Sequence, residues 1–203
     1  MRHLFRWLII IAFAATACSQ TAPIQLGSRR SPKEVVEEFW SQEVAGDLMT
    51  PQAWQRAITY LWAEPPKILT PDKIIVIFNG WAAEERRLKA DTAEVMVEFL
   101  GVGSIDSALQ FSPRLGMFSG QKANVMYGVV FTQTYMTTTY ENGKTEKAPV
   151  GMEWRIRGAH ITRFMTVNAA IRYVLQSERK STDPQIKRNA DRTLAILLRV
   201  PNG

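Results

Sequence analysis

Cysteine and histidine are scarce in this sequence. Its 203 residues include one cysteine, Cys18, and two histidines, His3 and His160. A single cysteine cannot form a disulfide within the chain, so packing alone must stabilise the fold. These few side chains also provide no familiar ligand set for a transition metal, which leaves only carboxylates as metal ligands. We therefore expect no metal centre and no other cofactor.

The sequence also has no apolar run long enough to cross a bilayer comfortably, for which about 20 residues are needed. Its N-terminal apolar stretch extends from Trp7 to Ala15, after the basic residues Arg2 and Arg6 and before small residues. A short apolar run with these flanks is typical of a secretory signal peptide that is removed on export. We expect residues 1–17 to be this signal peptide.

The only cysteine directly follows the predicted signal peptide, in the sequence Ala15-Thr16-Ala17-Cys18. This stretch resembles the lipobox of bacterial lipoprotein precursors, in which the cysteine sulfur receives a diacylglycerol before cleavage. A lipobox usually has leucine where this chain has Ala15, and the same residues also fit the A-x-A pattern of ordinary secretion. The position of the only thiol favours lipidation. We expect Cys18 to be the acylated, palmitate-labelled first residue of the mature protein.

Residues 18–30 are polar and rich in small side chains, which indicates a lipidated tether. Twelve extended residues reach at most about 40 Å, so a domain can sit clear of the bilayer. In the general sorting pattern of lipoproteins, Ser19 after the cysteine suggests the outer membrane, facing the periplasm, in a cell with two membranes. We therefore expect a cell-envelope protein that contacts the membrane through its lipid anchor.

The basic residues show no nucleic-acid pattern. The net charge is +6, and removal of Arg2 and Arg6 with the signal peptide leaves +4. Residues 172–199 contain seven basic and three acidic side chains, an excess that can favour anionic headgroups or nucleic acid. None of the nucleic-acid-binding motifs occurs. We expect a solvated helix face and no nucleic-acid partner.

Two helices are predicted at the start of the mature domain. Ser31 and Glu34 match a capping box with Pro32 in the first turn, and Thr50-Pro51 begins a second helix in the same way. Apolar residues follow each cap at helical spacing. They are Val35, Val36, Phe39, Trp40 and Val44 in the first helix, and Trp54, Ala57, Ile58, Leu61 and Trp62 in the second.

From residue 74 onward, apolar residues recur at every second position, which predicts strands with one solvent-exposed face. Residues 125–139 are rich in β-branched and aromatic side chains, and Asn142-Gly143 is a strong hairpin signal. We expect a curved antiparallel sheet. Its alternating apolar positions include Ala93, Val95, Val97 and Phe99 in one strand, and Val150, Met152, Trp154 and Ile156 in another.

Two helical segments end the chain. The second begins at Asp183-Pro184, and we expect its apolar stripe to dock on the domain with its arginines in water. The apolar stripes consist of Val167, Ala170, Ile171, Val174 and Leu175 in the first segment, and Ile186, Ala190, Leu194 and Leu197 in the second.

The order of these elements resembles the nuclear-transport-factor-2-like superfamily, which includes SnoaL-like and ketosteroid-isomerase-like proteins. The resemblance rests on two helices with Gly46-Asp47 after the first, a curved sheet, and residues 153–164 as a final strand, tight turn and strand. It covers about residues 31–175 and implies an α+β fold in which N-terminal helices pack on a cone-like antiparallel sheet. Residues 176–203 would be a C-terminal helical extension.

Enzymes of this superfamily usually place an aspartate, alone or with a histidine, inside the cone. Asp91 and Asp106 flank a predicted strand and can face such a pocket, although both also suit turns. His160 lies at a predicted turn. Gly101 and Gly103 lack the other features of a phosphate loop and indicate a bulge or sheet corner. We expect no catalytic set, with a general base at Asp91 or Asp106 as the alternative.

Aromatic side chains are numerous, and most predict core packing because they fall on apolar stripes. Trp62, Trp81, Tyr127 and Phe131 are the candidates to line a cavity for an apolar ligand. We expect a non-enzymatic, lipid-anchored module that binds an envelope protein or an apolar small molecule. The alternatives are a SnoaL-like enzyme and a structural component of an envelope secretion assembly, because this superfamily hosts many functions on one fold.

Overall fold

The computed structural model describes residues 30–64, 73–114, 121–158 and 162–200. The chain is of the α+β class, as the sequence predicts. Cys18, the signal peptide, residues 18–29 of the tether and His160 lie outside the described residues. The helices are α1 (Pro32–Val44), α2 (Pro51–Leu61), α3 (Val167–Lys180) and α4 (Pro184–Leu197), with a short 3-10 helix at Asp47–Met49. The strands are β1 (Lys73–Lys89), β2 (Thr92–Asp106), β3 (Phe111–Pro113), β4 (Gln121–Thr139), β5 (Thr145–Arg157) and β6 (Arg163–Thr166).

These six strands form one open sheet in the order β5-β4-β2-β1-β6, with β3 paired to β2. The pairs are antiparallel except for β1 with β6, which run parallel. The prediction of a purely antiparallel sheet is therefore wrong at this edge. The cause is topological, because the chain returns from β5 to the far side of β1 instead of adding a neighbouring hairpin.

The first two helices begin as the sequence predicts. The Ser31 hydroxyl accepts a hydrogen bond from the Glu34 N–H, and the Glu34 carboxylate accepts one from the Ser31 N–H. The Thr50 hydroxyl accepts one from the Ala53 N–H and caps α2. The predicted apolar stripes of both helices are buried, with Val44 only partly so. Local capping and helical period therefore account for this part of the fold.

Helices cover both faces of the sheet at the start of β1. Ile77 belongs to a core beneath α1 and α2, and Ile75 packs against it. Ile74 and Val76 belong to a second core formed with α3 and α4. Successive side chains of a strand point to opposite faces, so the continuous apolar run at residues 74–77 reflects burial on both sides.

Register shifts interrupt the pairing of β1 with β2. One lies between Val76 and Ile77, which pair with Gly103 and Gly101 of β2, and the next lies between Ile77 and Gly80. The first of these confirms the bulge expected from the two glycines. Gly80 also makes room for a helix side chain. A Cβ atom at this position would lie 2.6 Å from Cζ2 of Trp40, so the indole of α1 packs directly on the strand backbone.

The β4–β5 hairpin extends beyond the rest of the sheet. Its turn at Asn142-Gly143 is confirmed, with a φ of 77° at Gly143. Strand β2 pairs with β4 only as far as Val130, whereas β4 and β5 remain paired to their ends. We call residues 132–153 the β4–β5 arm. Along it, no other strand pairs with β4 or β5 in the described part of the chain.

The position of the arm explains an error in the predicted core. Val150 and Met152 are 41% and 40% exposed, so the prediction that their alternation faces the core is wrong. Trp154 and Ile156, on the same strand, are buried in the core beneath α1 and α2. The alternating pattern is the same along β5, but only its second half meets the helices.

The C-terminal helices dock on the second core, as predicted. Ala190 and Leu197 of α4 are buried, and Thr193 links the helix to the β2–β3 connection. The Thr193 hydroxyl donates to the Leu109 carbonyl at 2.7 Å and accepts from the Phe111 N–H at 3.0 Å. In α3 the predicted stripe residue Leu175 is instead 37% exposed.

Helix α3 continues through residue 176, the predicted start of the C-terminal extension. The position proposed as a domain boundary thus lies inside a helix. Among the described helices, none combines the length and apolar character that crossing a bilayer requires.

Candidate functional site

The two aspartates singled out from the sequence lie at exposed turns. Asp91 follows β1, and its carboxylate accepts a hydrogen bond from the Thr92 hydroxyl at 3.0 Å. Asp106 ends β2 and accepts from the backbone N–H groups of Ala108 and Gln110. Aspartate is common at turns because it makes such local bonds. Neither carboxylate lies in either buried core.

The four aromatic candidates do not form a single site. Trp62 and Tyr127 are buried and each contacts Phe39 edge to face, with ring centroids 5.5 Å and 5.9 Å from the Phe39 ring. Phe131 packs against Trp154. These three candidates contribute to the core beneath α1 and α2.

Trp81 is separate from the other three. It is 42% exposed and pairs in register with Glu98. Glu98 lies between Val97 and Phe99, which face the core, and neighbouring residues of a strand point to opposite faces. Trp81 is therefore on the outer face of the sheet and does not share a cavity with Trp62 or Tyr127.

The core beneath α1 and α2 contains an ion pair that the sequence analysis did not identify. Glu43 of α1 and Arg163 of β6 are 2% and 4% exposed. The Arg163 Nε donates to Glu43 Oε1 at 2.6 Å, and the Phe164 N–H donates to the same oxygen at 3.0 Å. The guanidinium also donates to the Leu48 carbonyl and lies 4.3 Å from the Trp54 ring centroid.

Three ionisable side chains interact electrostatically in this core. Burial raises the pKa of Glu43, against the opposing effects of the Arg163 charge and the Phe164 N–H. Burial raises the pKa of Tyr127 well above its usual value, and the nearby charge of Glu43 raises it further. We call Glu43, Tyr127 and Arg163 the buried ionic cluster. It joins α1, β4 and β6.

The geometry of this cluster favours a structural role. A general base must come within hydrogen-bond reach of its substrate, whereas Glu43 is 2% exposed and already accepts two hydrogen bonds. Removing one partner of a buried ion pair leaves an uncompensated charge and is strongly destabilising. The cluster therefore holds the first helix to the last strand of the sheet.

A signal for the ion pair is present in the sequence. Glu43 lies four residues after Phe39 and three after Trp40, on the apolar face of α1. Arg163 begins a short buried strand and is followed by two apolar residues. A charged residue in a buried stripe requires a partner. The pattern identifies the need for partners, but only the fold brings together two residues 120 positions apart.

The β4–β5 arm is the second candidate site. The described part of the chain exposes eleven large hydrophobic side chains, and five of them belong to this arm. Such a concentration of exposed apolar side chains indicates a contact surface. The five are Tyr135, Met136, Tyr140, Val150 and Met152, which are 59%, 58%, 47%, 41% and 40% exposed.

Together these features define an α+β protein with helices on both faces of an open mixed sheet, a buried ion pair and a projecting hairpin. No family model matches the chain, and no curated protein or solved structure matches it significantly. Within the described ranges, no group of three or more histidine, cysteine, aspartate or glutamate side chains is placed to hold a metal ion.

Proposed function

We propose that this chain is an exported bacterial lipoprotein whose folded domain binds a partner protein at the cell envelope. The observation that carries this proposal is the β4–β5 arm, because it projects from the sheet and exposes apolar side chains on both of its strands. An apolar small molecule is a poorer fit, since Trp62 and Tyr127 pack against Phe39 in the core. An enzyme is also a poorer fit, since Asp91 and Asp106 occupy exposed turns.

We place the domain in the nuclear-transport-factor-2-like superfamily, with a cone-like sheet. When the paired residues are followed across the sheet from β5 through β4 and β2 to β1, Arg157 at the end of β5 aligns with Arg86 of β1. Arg163 of β6 instead pairs with Ile74, near the start of β1. On a flat sheet these two arginines would be about 40 Å apart along the strand direction alone. The chain between them, residues 158–162, spans at most about 20 Å. This difference supports a strongly curved sheet.

The anchor completes the proposal. A lipid on Cys18 would hold the domain by a tether of up to about 40 Å, facing the periplasm from the outer membrane in a cell with two membranes. The first described residue, Arg30, forms an ion pair with Glu38 of α1 and lies 3.9 Å from the Glu153 carboxylate at the base of the arm. The tether therefore reaches the domain near the arm.

Substitution of the proposed lipid acceptor tests the lipid anchor. Cys18→Ser is expected to abolish incorporation of radioactive palmitate and either to release the domain from membranes or to block processing, because the serine variant has no thiol to acylate. Ser19→Ala, which keeps the thiol, should incorporate the label as the unchanged chain does. The anchor proposal is wrong if the unchanged protein takes up no label and the Cys18 variant fractionates with membranes as before.

A crosslinking pull-down from native membranes tests the binding role of the arm. Tyr135→Ser combined with Met136→Ser should reduce recovery of a reproducible, identifiable protein at least ten-fold, because it removes two of the most exposed apolar side chains of the arm. Leu198→Ser is the matched control, since Leu198 is 69% exposed and lies after α4, outside the arm. Equal recovery with all three proteins, or no specific recovery at all, would contradict a binding role for the arm.

A further inference from the structure

Within the described ranges, one edge of the β4–β5 arm carries a row of backbone hydrogen-bonding groups with which no strand pairs. The Phe131 N–H donates to the Asp91 carbonyl on the β2 side, and the Tyr140 N–H donates to the Lys144 carbonyl on the β5 side. Backbone groups alternate in direction along a strand. The N–H and C=O groups of Gln133, Tyr135, Thr137 and Thr139 therefore point away from β5. In the described ranges no strand pairs with this edge.

This β4 edge lacks the features that usually prevent strand pairing. Its residues 132–139 contain no charged side chain and no proline. Strand β5 differs, since its part of the arm contains Pro149 at a register shift and the charged residues Glu146 and Lys147. Proteins protect exposed edges with charge, proline and bulges. The edge of β4 is therefore the one that can accept another strand.

We propose that this edge pairs with the same edge of a second copy of the chain, in antiparallel orientation about a two-fold axis. This inference deepens the proposed function, on which it rests, by naming the partner. With Met136 opposite Met136 of the second copy, Gln133 faces Thr139 and Tyr135 faces Thr137. Every open N–H and C=O group of these four residues then gains a partner. Self-complementary pairing of this kind is the rule for two-fold dimers.

The length and charge of the segment favour an identical partner. In this register the paired region extends from Thr132, the first residue beyond the end of the β2 pairing and its Asp91 contact, to Tyr140 at the turn. The two folded bodies then lie at opposite ends of a four-stranded ribbon. Like charges opposite each other destabilise a strand pair, and an uncharged segment avoids this repulsion when it meets its own copy.

The size of the interface sets the expected strength of the dimer. Nine paired residues make a strip about 30 Å long, which buries a few hundred Å² per copy, against about 800 Å² in a standard stable interface. The dimer is therefore weak and depends on concentration. Attachment of both copies to one membrane raises their effective concentration, which suits a lipid-anchored protein.

Cysteine crosslinking tests the register directly. The full chain carrying Cys18→Ser has no other thiol, so an added cysteine reports only its own contacts. Met136→Cys should form a disulfide-linked dimer under mild oxidation, because the two Cβ atoms of such a pair lie about 5 Å apart. Thr138→Cys is the matched control on the same face of the arm. Its two copies would be about 14 Å apart, too far for a disulfide.

We expect at least ten-fold more dimer from Met136→Cys than from Thr138→Cys. In sedimentation experiments at rising concentration, the Cys18→Ser chain should dimerise, and addition of Thr137→Pro should leave it monomeric. Proline removes an N–H at the open edge and is tolerated at such positions. Equal crosslinking of the two cysteine variants, or a monomer at all concentrations, would overturn the self-pairing. If the arm then captured a different protein from membranes, the proposed function would stand; if it captured none, both would fail.

Discussion

Arg163→Met is expected to lower the free energy of unfolding by about 3–5 kcal/mol at pH 7.5, because it leaves a buried carboxylate without its cation. Glu43 is 2% exposed and cannot move into water without displacing α1 from the sheet. The substitution also removes the donor to the Leu48 carbonyl and the cation above the Trp54 ring. Urea unfolding followed by circular dichroism measures the loss.

The destabilisation caused by Arg163→Met should decrease as the pH is lowered. Burial already raises the pKa of Glu43 against the opposing Arg163, and without this cation the pKa in the folded state rises further. A carboxyl whose pKa is raised on folding binds a proton more readily in the folded state than in the unfolded one. Its contribution to stability is fully present below the ordinary value of 4.5 and is lost as the pH rises through the folded-state pKa.

A double variant provides the control for this prediction. Glu43→Gln combined with Arg163→Met has no charge at either position and keeps a side chain of similar shape beside the Phe164 N–H. We expect the single variant to be less stable than the double variant at pH 7.5 and to approach it at pH 5. If the two variants differed by the same amount at both pH values, the charge on Glu43 would not be the source of the instability.

Truncation after Gln176 is expected to lower the melting temperature strongly while membrane attachment through Cys18 remains. The deletion removes α4, whose Leu197 and nearby Val200 are buried in the second core, and the two hydrogen bonds of Thr193. Burial of one such apolar side chain contributes about 1.5–3 kcal/mol, and domains are stable by only about 5–15 kcal/mol. Thermal unfolding and membrane fractionation measure the two effects. Unchanged stability with loss of binding to anionic vesicles would instead assign α4 to the membrane surface.

Two adjacent leucines allow the same test if the truncated chain does not fold. Leu197 is fully buried and Leu198 is 69% exposed. Leu197→Ala should cost about 2–5 kcal/mol in the free energy of unfolding, whereas Leu198→Ala should change it by no more than about 0.5 kcal/mol. Similar losses from both substitutions would show that docking of α4 on the second core does not stabilise the domain.

Several features of the fold are determined by short stretches of sequence. Ser31 with Glu34 specifies the start of α1, Thr50 specifies the start of α2, and Asn142-Gly143 specifies the turn of the β4–β5 hairpin. Each of these signals acts over a few residues, through a hydrogen bond or a backbone conformation that the local side chains favour. The α+β class follows from signals that are also local, namely the helical and the alternating spacing of apolar residues.

Other features depend on contacts between distant parts of the chain. The parallel pairing of β6 with β1, the exposure of Val150 and the meeting of Glu43 with Arg163 are examples. A strand has the same alternation of apolar and polar residues whether or not a helix covers it. A charged residue among apolar ones indicates that it needs a partner, but the sequence does not identify which residue that partner is. The sequence by itself thus determined the elements and most of their buried faces. Only the tertiary structure decided which faces meet, because those contacts join distant residues such as Glu43 and Arg163, which are 120 positions apart.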